Sequence, residues 1–183
     1  VKAALQLSAL LFQRPGEIRG MEWTEINWDA EQWELPADKM KMRQPHIVPL
    51  CSQAIDLLKD LHRLTGRGRY VFPSARGGSR CMSENAVRVA LRTMGYDNDT
   101  MTPHGFRAMA RTILDEVLNY RVDWIEHQIA HTVKDTNGRA YNRTAHLPQR
   151  KVMMQGWADY MDKLKAQAKA GNVITAKFGV APV

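Results

Sequence analysis

The chain has 183 residues, 44% of them hydrophobic, with 26 lysines and arginines against 19 aspartates and glutamates for a formal net charge of +7. That length suits one domain with a buried core, and the positive balance directs attention to a polyanionic partner such as nucleic acid. No apolar run approaches the length of a membrane span, and Cys51 and Cys81 fall in no CxxC or Cys/His spacing, which speaks against a membrane protein and a structural zinc site and for reduced thiols.

Residues 1–12 read as an almost all-round apolar helix, interrupted by Lys2 and Gln6, and Pro15 suits the first turn of a second short helix ending near Gly20. Arg14 stands at the junction, with Glu17 beside it. Ile26, Trp28, Trp33 and Leu35 alternate with polar residues about an Asp29-Ala30 turn, and residues 46–50 supply a third extended piece of a small antiparallel sheet. Lys41 lies on the connection between its second and third strands, next to Met42 and Arg43. Ala54, Leu57, Leu58, Leu61 and Leu64 follow helical spacing until Gly66 stops the run. The stretch GRGRYVFPSARGGSR reads as a basic, glycine-rich loop with a short extended YVF. Ser83 is a suitable cap for a helix reaching about Met94, on which Arg88 and Arg92 share a face. Thr102 and Pro103 open the next helix, residues 122–130 form another, and Pro148 starts a long last helix. Its stripe Trp157, Tyr160, Met161, Leu164 and Ala168 reads as a packing face. There is no internal repeat, and residues 171–183 look like an extended tail. The chain opens without methionine, directly in a helical pattern, and a preceding domain is therefore expected.

Chemistry gathers on six residues in chain order, Arg14, Lys41, His104, Arg107, His131 and Tyr141. His104 and Arg107 are three apart at the first turn of a helix that Thr102 caps, where free backbone N–H groups and the positive dipole end favour a phosphate. Each residue alone has a plainer reading: Arg14 as a helix-end cation, Lys41 as a turn residue, His104 as a cap, His131 as a satisfied core histidine, Tyr141 as a packed aromatic. Together they form a set able to surround one phosphate, with no acidic metal cage among them. Tyr141 follows the Asn137-Gly138 break and is mobile there, whereas Tyr120 closes a helix and Tyr160 falls on the packing stripe. A tyrosine of pKa about 10 needs a neighbouring cation or base as attack begins, and histidine and arginine meet that need. Between His62 and Arg92 the charge is all arginine, at positions 63, 67, 69, 76, 80, 88 and 92, against Glu84 alone. Forked guanidinium groups favour phosphate. Arg76, Arg80, Arg88 and Arg92, with Arg43 and Arg139, are candidate DNA-backbone contacts, a solvated face being the alternative.

Four stretches in order, RPGEIRGMEWTEI, MKMRQPHIVPL, TPHGFRAMARTIL and IAHTVKDTNGRAYNR, resemble the arginine, lysine, HxxR and histidine–tyrosine boxes of the tyrosine recombinases, the integrases of phages and genomic islands. The resemblance covers nearly the whole chain. It implies an α+β, mainly α-helical catalytic-domain fold over residues 1–170, with a small three-stranded antiparallel sheet near the N-terminus, preceded by core-binding and arm-binding domains. It further implies that Arg14 and Arg107 clamp the scissile phosphate and that Tyr141 attacks it to give a 3′-phosphotyrosyl link. Lys41 then protonates the departing 5′ oxygen, His104 and His131 hydrogen-bond the phosphoryl oxygens or move the tyrosine proton, and Glu17 braces the arginine box. No cofactor, metal or nucleotide is implied. The implied partners are double-stranded DNA attachment sites, a homotetramer on DNA formed from protomers that are monomeric alone, and accessory directionality and host DNA-bending proteins. The implied location is the bacterial cytoplasm, at the nucleoid. A type IB topoisomerase shares the tyrosyl chemistry, and a DNA-binding regulator without catalysis shares the fold; a metal nuclease fits less well, because the acids are scattered.

Overall fold

Helix α1 (Lys2–Leu11) buries Ala4, Leu7 and Leu11 completely and touches five other helices, because its apolar residues occupy nearly every side. It ends where Phe12 turns left-handed at φ 41 and donates its N–H to Ser8 O. A non-glycine residue is disfavoured there, but the Phe12 ring is fully buried edge-on against Trp157, with ring centroids 5.9 Å apart, and that burial offsets the strain. The structure, a computed structural model, describes residues 1–131 and 144–171. Helix α2 (Pro15–Arg19) follows with proline at its first position, as the sequence predicts.

Strands β1 (Ile26–Asn27), β2 (Gln32–Leu35) and β3 (His46–Pro49) form the expected antiparallel sheet in that order, with Trp33 opposite both Ile26 and Val48. Trp28 belongs to the turn rather than to a strand and stacks on Trp23 at 6.2 Å. Helix α3 (Ser52–Thr65) closes on the Gly66 N–H, which reaches His62 O. The basic segment after it is more ordered than a loop. β4 (Pro73–Ser74) and β5 (Gly77–Cys81) make a two-stranded hairpin, with Gly77 at φ 140, and Tyr70 bridges to Glu22. Helix α4 (Ala86–Thr93) begins two residues later than the sequence suggests, because the Ser83 hydroxyl accepts the Asn85 N–H in a local turn instead of capping the helix.

Helix α5 (Gly105–Thr112) runs into a π-helical turn, Ile113–Val117, and α6 (Val122–Gln128) follows. The last helix, α7 (Leu147–Lys169), packs Met153, Met154, Trp157 and Ala158 into the core, and Trp157 Nε1 donates to Ala9 O at 3.0 Å. The predicted stripe continues to Met161 but stops there: Leu164 and Ala168 are exposed, since the helix runs past the elements it packs on. Tyr120 is partly buried against the core, its hydroxyl resting on Gly156, as befits a packed side chain. Both cysteines are free thiols, and burial pushes Cys51 up to about 11. Among the described residues no helix is long and apolar enough to cross a membrane. The residues 172–183 of the expected tail lie outside the described residues.

Two stability outcomes follow from this packing. Trp157→Ala removes a fully buried indole that contacts α1, and the expected loss is about 3–5 kcal/mol in urea denaturation. His46 is buried with Nε2 3.0 Å from Gln128 O, and burial, then the nearby Arg150 charge, hold it down to about 3. An unfolded imidazole titrates near 6.5, so between these values the unfolded chain binds a proton that the folded chain refuses. Stability is expected to fall as pH drops below about 6.5, by up to about 1.4 kcal/mol per pH unit from this group, and His46→Gln should flatten the slope measured by urea midpoints at pH 7, 6 and 5.

Candidate active site

Arg107 is the deepest member of the candidate site, 3% exposed, on the first turn of α5. Its two terminal nitrogens donate to Phe12 O at 3.1 Å and Ile129 O at 2.6 Å. Both acceptors lie at helix C-terminal ends, those of α1 and α6, where the partial negative charge of aligned peptides favours a cation. Burial, with Arg14 adding to it, lowers Arg107 to about 10, which leaves it charged at neutral pH. Arg14 comes two residues after Phe12 and His131 two after Ile129, so one guanidinium sets the position of both.

Arg14 sits at the N-cap of α2 and pairs with Glu17, Nη1 to Oε1 at 2.9 Å, while Glu17 Oε2 accepts the Arg14 N–H, also at 2.9 Å. Glu17 is buried and thus grips Arg14 from below. His104 occupies the N-cap of α5 rather than its interior, because Thr102 Oγ1 already receives the Gly105 N–H at 3.0 Å. The imidazole is largely open to solvent. Its pKa lies below the ordinary histidine value, from partial burial first and then from the charges of Arg107, Arg14 and His131. His104 thus stands near charged groups from three distant stretches of chain. His131 is half exposed, with Nδ1 2.7 Å from Glu126 Oε2. Glu126 also receives a bond from Arg111, one turn beyond Arg107.

Lys41 stands apart from that group. It is exposed on the β2–β3 connection, and no contact joins it to Arg14, His104, Arg107 or His131 among the described residues. The connection is nevertheless anchored, through a lysine that sequence reasoning passed over. Lys39 Nζ donates to Gly20 O at 2.9 Å, to Glu22 at 2.6 Å and to Glu25. Burial works against the Lys39 charge, but the bonds to Glu22 and Glu25 outweigh it and raise its pKa; Glu22, bonded also by Arg69, is held down to about 2. The EWTE spacing was the only sequence signal for this cluster. Arg111 and Glu126 were missed as well, because a pair 15 residues apart on separate helices leaves no local pattern.

The candidate backbone contacts differ among themselves. Arg76 and Arg80 are exposed on the β4–β5 hairpin, Arg88 is exposed on α4, and Arg43 is exposed in a turn at φ 50. Arg92 does not simply share the outer face of α4 with Arg88: its guanidinium binds Tyr96 O, Met101 O and Asn98 and ties the following loop together. Tyr141 and Arg139 lie outside the described residues.

Residues 1–147 match the model of the phage integrase family, and the chain belongs to that family, as a tyrosine recombinase catalytic domain. Over 175 residues it is 41% identical to the integrase of Enterobacteria phage P4, covering 88% of this chain and 40% of that protein. Over 166 residues it is 40% identical to the prophage integrase IntZ of Escherichia coli K12, covering 91% of this chain and 40% of the relative. The integrase of Shigella phage Sf6 is 33% identical over 151 residues, 82% of this chain and 39% of that one. The chain thus spans about two fifths of the length of these curated relatives. No solved structure gives a significant match. The four boxes are in keeping with the family, which favours an integrase over a topoisomerase.

A lysine at position 107 could satisfy only one of the two helix ends. Arg107→Lys is expected to cost about 1.5–3 kcal/mol, the worth of one hydrogen bond to a charged group, and to speed amide exchange at Gln13–Arg14 and at Ala130–His131 more than in α3.

Proposed function

We propose that the protein supplies the chemistry of a site-specific DNA recombinase, breaking and rejoining strands during integration and excision of a prophage or genomic island. The reading is supported by one observation: buried Arg107, three residues after His104, binds Phe12 O and Ile129 O, two residues before Arg14 and His131, so that residues from three separate stretches converge. A phosphodiester seated there meets two guanidinium groups for its non-bridging oxygens. Arg107 spends two of its five N–H donors on carbonyl oxygens, and the other three have no protein acceptor among the described residues. A lowered His104 is neutral near pH 7 and is able to accept a proton as well as donate a hydrogen bond.

In the proposed step Tyr141 Oη bonds to phosphorus, its proton passes to a histidine, and the bond to the 5′ oxygen breaks as Lys41 protonates it. The 3′-phosphotyrosyl link retains the phosphodiester energy, so the reverse attack by a 5′ hydroxyl reseals the strand without ATP, metal or another cofactor. Lys41, on an exposed connection, reaches the phosphate only with DNA in place. The partners are duplex attachment sites, engaged as a tetramer. Arg43, Arg76, Arg80, Arg88 and Arg139 would hold the backbone, with Arg92 shaping the surface beside them.

On a nicked suicide duplex the protein is expected to form a covalent adduct that Tyr141→Phe abolishes while DNA binding persists. An adduct surviving in Tyr141→Phe assigns the nucleophile elsewhere. Arg14→Ala should slow adduct formation by about 100- to 1,000-fold, the cost of one donor to a developing oxyanion. Relaxation of plasmids that lack an attachment site would restore the topoisomerase reading.

A further inference from the structure

The end of α6 closes in a paired arrangement. With Ala130 at φ 50, the His131 N–H reaches Glu126 O at 3.0 Å and the Ala130 N–H reaches His127 O at 3.1 Å. This left-handed closure of a helix end brings side chains five residues apart to the same side. Glu126 Oε2 then lies 2.7 Å from His131 Nδ1, and Oε1 takes the Arg111 Nε–H. Arg107 and Arg111 are one turn apart on α5, so that helix grips the end of α6 twice, at Ile129 O and at Glu126. Burial raises Glu126, but the bonds from Arg111 and His131 outweigh it and keep the carboxylate below its ordinary value and ionised.

We propose that Glu126 is a positioning residue for strand transfer: its carboxylate holds the His131 proton on Nδ1 and presents bare Nε2 to the phosphate site, while Arg111 locks the second carboxylate oxygen. The inference rests on the reading of His131 as part of that site. An ionised carboxylate only accepts hydrogen bonds, so the ring nitrogen facing it must carry hydrogen. Nε2 is then the acceptor that takes the Tyr141 proton as the P–Oη bond forms and the P–O5′ bond breaks, with Lys41 giving a proton to the 5′ oxygen. The imidazolium so formed faces the Glu126 charge, and it returns its proton to the tyrosine on resealing. The division of labour matches that of an acid–histidine pair in acyl transfer, where the acid orients and stabilises without itself being protonated. A pair of loose surface side chains would contribute little; here the helix closure and Arg111 restrict both members.

The test is Glu126→Gln, nearly identical in shape, which can donate as well as accept. In 15N-histidine NMR, His131 is expected to show the Nδ1–H tautomer in the wild type and a mixture in the variant. Adduct formation on the nicked suicide duplex should fall by about 100-fold or more, the usual share of positioned proton transfer, with DNA binding unchanged within about twofold. Glu126→Asp keeps the charge but is too short for the 2.7 Å contact and should fall likewise; it carries the test if the glutamine variant does not fold. Combining Glu126→Gln with His131→Ala should cost no more than His131→Ala alone. Wild-type cleavage in both Glu126 variants, or losses that multiply in the double variant, overturns the positioning role. His131→Ala cleaving at the wild-type rate would instead overturn the underlying reading of the site.

Discussion

A buried guanidinium must be matched by acceptors or its desolvation is unaffordable, and the site is organised around how Arg107 meets that demand. It does so with the last carbonyls of two helices, Phe12 O and Ile129 O, which have no intrahelical partners of their own. One side chain therefore answers three needs: its own charge, and the open ends of α1 and α6. The residues placed two beyond each end, Arg14 and His131, inherit their positions from it. The left-handed Phe12 and Ala130 belong to the same device, since each ends its helix abruptly and turns a carbonyl toward Arg107.

Around this centre the cations are held with different firmness. Arg14 is gripped by buried Glu17, and Arg111 is engaged by Glu126. Lys41 and the hairpin arginines are exposed. That gradient suits a surface whose inner groups fix a phosphate and whose outer groups meet a long polyanion, where contacts are numerous and individually weak. Lys39 marks the boundary, anchoring the base of the β2–β3 connection to Gly20, Glu22 and Glu25 while Lys41, two residues on, remains in solvent. Arg69 and Arg92, by contrast, have partners within the chain, Arg69 pairing with Glu22 and Arg92 binding the carbonyls of its loop. Sign and type of residue alone do not separate a DNA contact from an internal tie.

Much of the fold was legible in the chain itself, because helix periodicity, Pro15, Gly66 and the short extended pieces of β1 to β3 are local properties. The apolar α1, the short α2 and the long α7 all follow from them. Errors arose where a side chain had a choice of partner. Ser83 spent its hydroxyl on a turn rather than a cap, Trp28 left the strand for Trp23, and the glycine-rich stretch paired into a hairpin.

The sequence by itself determined the residue types, their order and their resemblance to a family, since four short boxes are written consecutively along it. Only the tertiary structure decided which of those residues share one electrostatic environment. It joined Arg14, His104, Arg107 and His131, kept Lys41 outside, and added Glu126, Arg111 and Lys39, because a bond between distant residues depends on how helix ends converge and not on spacing along the chain.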